Sequence, residues 1–300
     1  MKRGRLKTHD FYRERVNSQL KRFLDSIQST SSSKDRLKDI MKYSALASGK
    51  RFRPILTYTV ASLYDVTIEK VDSCACAIEL IHIYSLIHDD LPAMDDDDLR
   101  RGNLSLHKAF NEGIAILAAD AMQSLAFHVL ANDSSLNQKN DIRTSLSNLI
   151  AEASGTSGMT GGQALDIEAE GKIIDLKDLE HIYHLKTGKL LRACIMAPIF
   201  YSNISQDQIS ALESFIKDIG LAFQIQDDII EAEGDTEYIG KPSESDEDKD
   251  KATFPKIIGL DASKRRVLHL FDQSNDAISI FGEKNEGLKY LAKIITERTH

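Results

Sequence analysis

Apolar residues recur every three or four positions over most of the chain, in 11–28, 37–47, 54–64, 71–91, 108–131, 142–158, 178–200, 207–232 and 264–272. This is the period of helices that bury one face. Scarcely any stretch alternates apolar with polar residues between hairpin turns, so strands are not expected. Breakers fall between the helical runs: Gly49, Pro92, Gly102, the pair Gly161 and Gly162, Gly171, Pro198, Gly234, Gly240 and Pro242. Residues 29–33 read as a polar loop. Residues 243–251, dense in Ser, Glu, Asp and Lys, read either as a mobile surface loop or as a solvated linker. No internal repeat or composition shift marks a boundary. The expectation is one all-α domain over residues 1–300.

Composition narrows the partners. A formal charge of −8 argues against a general nucleic-acid binder. Cys74, Cys76 and Cys194 have no zinc-site spacing and leave an odd count for disulfides, so they are expected reduced and inert. The basic start (Lys2, Arg3, Arg5, Lys7) lacks the apolar run of a secretory signal, and no uninterrupted apolar stretch reaches membrane-span length. A cytoplasmic protein without integral membrane association is the expectation.

Two acidic clusters change the picture. Asp89 and Asp90 end an apolar run and are followed by Pro92, Asp95, Asp96, Asp97 and Asp98. Pro92 stops regular helix, so Asp89 and Asp90 fall at a helix C-terminus, the negative pole of the helix dipole. Carboxylates crowded there call for a cation. Gln224, Asp227, Asp228 and Glu231 stand at i, i+3, i+4 and i+7 and can share a helix face. Mg²⁺ takes a few carboxylates, several waters and the oxygens of a phosphorylated substrate. Two such clusters facing a common cavity would clamp a diphosphate.

Cations are grouped as well. Gly49, Lys50, Arg53 and Pro54 mark a loop-to-helix junction suited to an anion. Arg100 and Arg101 follow the first acidic run, His82 lies two turns before Asp89, and Lys241 and Lys251 flank the charged loop. Lys186, Thr187, Gly188 and Lys189 sit inside a helical run that Thr and Gly weaken, and a local break there would free backbone carbonyls to point into a cavity. No GxxxxGK[ST] phosphate loop is present, which excludes the usual nucleotide-dependent classes. A diphosphate with a hydrocarbon tail is the ligand that suits these groups.

The chain resembles the trans-isoprenyl diphosphate synthases, and among them the bacterial farnesyl diphosphate synthases. GKRFRP at 49–54, DDLPAMDDDDLRRG at 89–102, GGQALDIEAEG at 161–171, HLKTGKL at 184–190, FQIQDD at 223–228 and KATFP at 251–255 carry the likeness. The resemblance implies the isoprenoid synthase fold, an all-α single large helical bundle around a central cavity, usually as a homodimer. It implies a metal set of Asp89, Asp90, Asp95, Asp227, Asp228 and Glu231 for about three Mg²⁺ ions, with Mn²⁺ as an alternative. It assigns Lys50, Arg53, His82 and Arg101 to isopentenyl diphosphate, and Arg100, Lys186, Lys241 and Lys251 to the allylic diphosphate. Thr187 and Gln224 would offer oxygens to the developing allylic cation. With Lys186 they form the expected catalytic group.

The reaction so implied condenses isopentenyl diphosphate with dimethylallyl and then geranyl diphosphate. Tyr84 and Ser85, five and four residues before Asp89, would set product length, and the aromatic Tyr84 favours a farnesyl product. A lid of residues 241–251 with the C-terminal tail would exclude water. Three positions depart from the family pattern: Glu231 stands where Asp is usual, Ala119 where Gly is usual, and Ala252 where Ser or Thr is common. A geranylgeranyl diphosphate synthase, a non-catalytic prenyl synthase subunit and a class I terpene cyclase are the alternatives. The last would not need Lys50, Arg53 and His82.

Overall fold

The structure, a computed structural model, describes residues 2–27, 32–136, 140–237 and 251–296. Lys241 and residues 243–250, and with them the expected lid, lie outside the described residues. The chain forms two compact units, Met1–Asn148 and Leu149–His300.

The first unit contains α1 (Lys2–Asp25), α2 (Ser32–Ala45), α3 (Phe52–Leu63), α4 (Asp72–Asp89), a hairpin of β1 (Leu99–Arg100) and β2 (Asn103–Leu104), α5 (Leu106–Ala109) and α6 (Glu112–Ala131). Its core is α4, buried on every side from Asp72 through Ile81. A helix apolar all round belongs in an interior, and its acids then need partners. Asp72 receives a bidentate pair of bonds from Arg15 at 2.8 and 2.6 Å and a third from the Tyr58 hydroxyl at 2.8 Å. Glu79 pairs with Arg51. α6 packs against α4, and its buried residues include Ala115, Ala118, Ala119 and Ala126, small side chains that suit close approach. Among the described residues α6 is also the helix long and apolar enough to cross a membrane by length and composition. Asp120 and His128 interrupt it, and its inner face serves the core of this unit.

The second unit begins within α7 (Asn140–Ser154) and continues through α8 (Met159–Ala169), α9 (Leu176–Tyr183), a π-helical turn (His184–Gly188), α10 (Lys189–Met196), a 3-10 turn (Ala197–Tyr201), α11 (Gln206–Glu237), α12 (Phe254–Ile258), α13 (Leu260–Ala277), a second 3-10 turn (Ile278–Asn285) and α14 (Glu286–Thr296). One core cluster joins α9, α11, α12 and α13 through Leu179, Ile182, Ile225, Ile229, Phe254, Val267 and Leu270.

Several local features differ from the sequence expectation, among them Gly234, which lies inside α11 rather than at a break. Gly161 and Gly162 do not break the chain but lie inside α8. A Cβ on Gly162 would stand 2.3 Å from the Lys186 backbone nitrogen, so glycine here lets α8 touch the π-helical turn. At 184–188 the helix does not break; it widens by one residue per turn and runs on into α10. The hairpin was not expected. Arg101 and Gly102 both have positive φ (55° and 80°), with Arg100 paired to Asn103, the geometry of a two-residue type I′ turn.

Candidate active site

In the first unit the acidic motif sits where α4 ends. Asp89 is the last helical residue, and Pro92 turns the chain away. The loop then folds back: the Asp95 amide donates to the Asp89 carbonyl at 2.8 Å, while Asp96 (φ 55°) donates to Leu91. The loop therefore returns Asp95 to the helix end that carries Asp89. Asp90 is different. It is 2% exposed and accepts both Nε (2.8 Å) and Nη2 of Arg100, which also reaches Asp97 at 2.7 Å. Burial pushes the Asp90 carboxyl up, and Arg100 offsets part of that. Burial works against the Arg100 cation, but Asp90 and Asp97 outweigh it and leave its pKa raised.

The hairpin delivers Arg101 to the basic loop. A Cβ on Gly49 would meet the Arg101 guanidinium at 2.5 Å, so the arginine lies directly against the bare backbone of this loop. Arg53 enters from the first turn of α3, and His82 from α4. His82 is half-buried, and its burial together with Arg53, Arg101, Arg51 and Arg100 holds its pKa well below the usual value. Burial also lowers Arg101, as do Arg51, Arg53 and Arg100, with Glu79 opposing. Three of the four residues expected at isopentenyl diphosphate thus share one electropositive group, and Lys50 lies exposed on the adjoining loop. Arg51, between Lys50 and Arg53 in sequence, points inward instead. Its left-handed backbone (φ 49°) aims the side chain at Asn17, Glu79 and the carbonyls of Ala45 and Ala47.

Tyr84 is buried, its ring edge-on to His88 one turn later at 5.7 Å. The Ser85 hydroxyl donates to the His82 carbonyl of its own helix at 2.9 Å.

In the second unit α11 carries the other motif. Asp227 is half-buried and Glu231 exposed, whereas Asp228 is buried on the core side with Ile225 and Ile229. The Tyr183 hydroxyl lies 2.9 and 2.8 Å from its two oxygens, and the Phe254 amide donates to Oδ2 at 2.9 Å. Burial pushes the Asp228 carboxyl up to about 7 even though both donors pull it down. Burial and the nearby Asp228 charge push the Tyr183 hydroxyl well up. Thr187, in the π-helical turn, donates to Gln224 Oε1 at 2.7 Å. Lys186 is held by Asp166 of α8 at 2.6 Å. Lys251 is half-buried just before α12, and its carbonyl accepts from Lys256 at 2.9 Å.

Asp166 and Tyr183 are the residues that sequence reasoning missed. Asp166 lies in a quoted motif without a role, and its distance from Lys186 in sequence hid the pairing. Among the described residues no three Asp, Glu, His or Cys side chains form a ready-made metal cage. The donors are carboxylate oxygens, and Mg²⁺ characteristically takes only one or two of these together with water and substrate phosphates. The residues therefore fit Mg²⁺ delivered with a diphosphate. They do not suit a metal that needs an all-protein cage.

Comparison with known proteins agrees with this chemistry. A farnesyl diphosphate synthase of Escherichia coli is 41% identical over 264 residues, covering 87% of this chain and 88% of the relative. One of Micrococcus luteus is 43% identical over 263 residues, covering 88% and 89%. A solved geranyltransferase of Legionella pneumophila superposes with a TM-score of 0.87 at 35% identity, over 99% of this chain and 98% of that one. The polyprenyl synthetase family profile matches residues 34–286. The chain belongs to the polyprenyl synthetase family, with its all-α isoprenoid synthase fold.

Proposed function

We propose that the chain is a farnesyl diphosphate synthase. It joins isopentenyl diphosphate head-to-tail to dimethylallyl and then geranyl diphosphate, as a cytoplasmic homodimer. The observation that carries the reading is the electropositive group of Arg53, His82 and Arg101 beside Gly49, a set of cations additional to those expected at the allylic diphosphate. A protein that only ionised one allylic diphosphate would not need a second anion site.

Asp89, Asp95, Asp227 and Glu231 are the residues to hold Mg²⁺, about three ions by family likeness. Asp90 and Asp228, expected beside them, are bonded to Arg100 and to Tyr183 and Phe254, which supports giving them a supporting role in this proposal. When bound, Mg²⁺ offsets the charge gathering on the departing diphosphate. Arg100, Lys186 and Lys251 bind the same group, and Lys241 completes the set.

The allylic C–O bond breaks and its electron pair leaves with the diphosphate. Thr187 and Gln224 offer oxygen lone pairs to the allylic cation. Isopentenyl diphosphate, held by Lys50, Arg53, His82 and Arg101, places its double bond against that cation. The new C–C bond forms, and the released diphosphate takes the surplus proton.

Purified protein with Mg²⁺, labelled isopentenyl diphosphate and either allylic starter tests the proposal. The dephosphorylated alcohols are separated by chromatography. Mostly farnesol is expected. Mostly geranylgeraniol would replace the product assignment with the longer one, and no condensation would refute the enzyme reading.

A further inference from the structure

We infer that Asp228 is a positioning residue, which ties the segment bearing Lys251 to α11 through Tyr183 and the Phe254 amide; this rests on the proposed function. The bonds join three elements. Tyr183 ends α9, Asp228 lies in α11, and Phe254 begins α12. The Phe254 N–H belongs to the first turn of α12, where backbone donors lack helical partners, and Asp228 supplies the acceptor from another helix. The Tyr183 and Phe254 rings stack at 6.0 Å on either side of this junction, and Phe254 has no exposed surface.

Lys251 stands three residues before Phe254, so its backbone lies within about 10 Å of this knot along the chain. The position of that lysine is therefore set by a carboxylate in the acidic motif. Asp227 and Asp228 are adjacent and so point about 100° apart on the helix. One can turn to solvent and metal only while the other turns to the core. At 8% exposed and bonded to the Tyr183 hydroxyl and the Phe254 amide, Asp228 is the one turned inward.

The test compares Tyr183→Phe, Asp228→Asn and the double variant. Each single change should raise the KM for the allylic diphosphate about fivefold to tenfold, the scale of one ordinary hydrogen bond. The KM for isopentenyl diphosphate and the Mg²⁺ concentration for half-maximal rate should stay within about twofold. The double variant should be no worse than the worse single one, because both weaken the same link. A tenfold rise in Mg²⁺ requirement for Asp228→Asn alone, or additive effects, would overturn the inference in favour of a metal ligand.

Hydrogen exchange at the Phe254 amide gives an arm independent of turnover. Exchange at least about tenfold faster in Tyr183→Phe supports the knot. Unchanged exchange overturns it, whatever the enzyme's activity. A wild-type chain without condensation would refute the proposed function separately.

Discussion

Arg51 donates to Glu79 across 2.9 Å, and each side chain is about 1% exposed. The same guanidinium also satisfies Asn17 and two carbonyls that precede the basic loop. A buried pair of this kind costs much when one partner is lost, because the other charge is stranded. Arg51→Ala or Glu79→Ala should lower unfolding free energy by about 3–5 kcal/mol, read from urea denaturation. Arg51→Met with Glu79→Leu should recover most of that loss. If either single alanine variant unfolds at the wild-type midpoint, the pair does not hold the loop.

Two helical glycines should respond in opposite directions. Alanine at Gly162 would put Cβ 2.3 Å from the Lys186 nitrogen and 2.7 Å from its Cα, where only backbone movement gives relief. Overpacking of this kind costs about 1–3 kcal/mol, and the displaced Lys186 and Thr187 should lower kcat as well. Gly234, in α11, has nothing within 4 Å of an added Cβ. Alanine there should stabilise by about 0.5–1 kcal/mol through helix propensity. Thermal melts of the two variants decide the matter, and equal shifts would contradict the close contact at Gly162.

His82 makes stability and binding pH-dependent. Its native pKa is held down by burial and by Arg53, Arg101, Arg51 and Arg100. Between that lowered value and about 6.5, the unfolded chain binds a proton that the native chain does not. Stability contributed by neutral His82 is therefore present above about pH 6.5 and is lost as pH falls, by at most about 1.4 kcal/mol per unit. His82→Gln should flatten this slope. Isopentenyl diphosphate brings negative charge to the same group, which favours the protonated ring. Calorimetry in two buffers of different ionisation enthalpy should find proton uptake on binding, and less in His82→Gln. Equal uptake in both proteins would remove His82 from the anion site.

Most helices were legible because burial leaves a periodic stripe, as in 71–91 and 207–232, which became α4 and α11. α14 shows the same spacing at Leu288, Leu291, Ala292 and Ile295, beyond the last helical run expected at 264–272. The signals that misled were local ones overridden by packing. Gly161 and Gly162 look like a break until Lys186 is seen against them, and Thr187 and Gly188 look like a stop where the helix only widens. The hairpin carried its own sign, a glycine in a two-residue turn after Arg100, too short for alternation to register. The acidic motifs were legible as motifs. Which acid turns outward was not, because the partners of Asp228 lie 45 and 26 residues away in sequence. Arg51 could not be told from Lys50 and Arg53 for the same reason, since Glu79 lies 28 residues on.

Tyr84 offers the sharpest test of product length. Its ring is 6% exposed and meets His88 edge-on at 5.7 Å, an arrangement that favours one orientation of the ring. The Ser85 hydroxyl, bonded back to His82, leaves the bulk of this turn to Tyr84. If the ring closes the path of the growing chain, its removal should admit one further isoprene unit. Tyr84→Ala should then move the main product from farnesol to geranylgeraniol in the dephosphorylated extract, while Tyr84→Phe keeps farnesol. His88→Ala, which removes the edge contact and keeps the ring, should give a mixture of the two. Farnesol alone from Tyr84→Ala would mean that the ring only packs, and that the limit on length lies in other side chains.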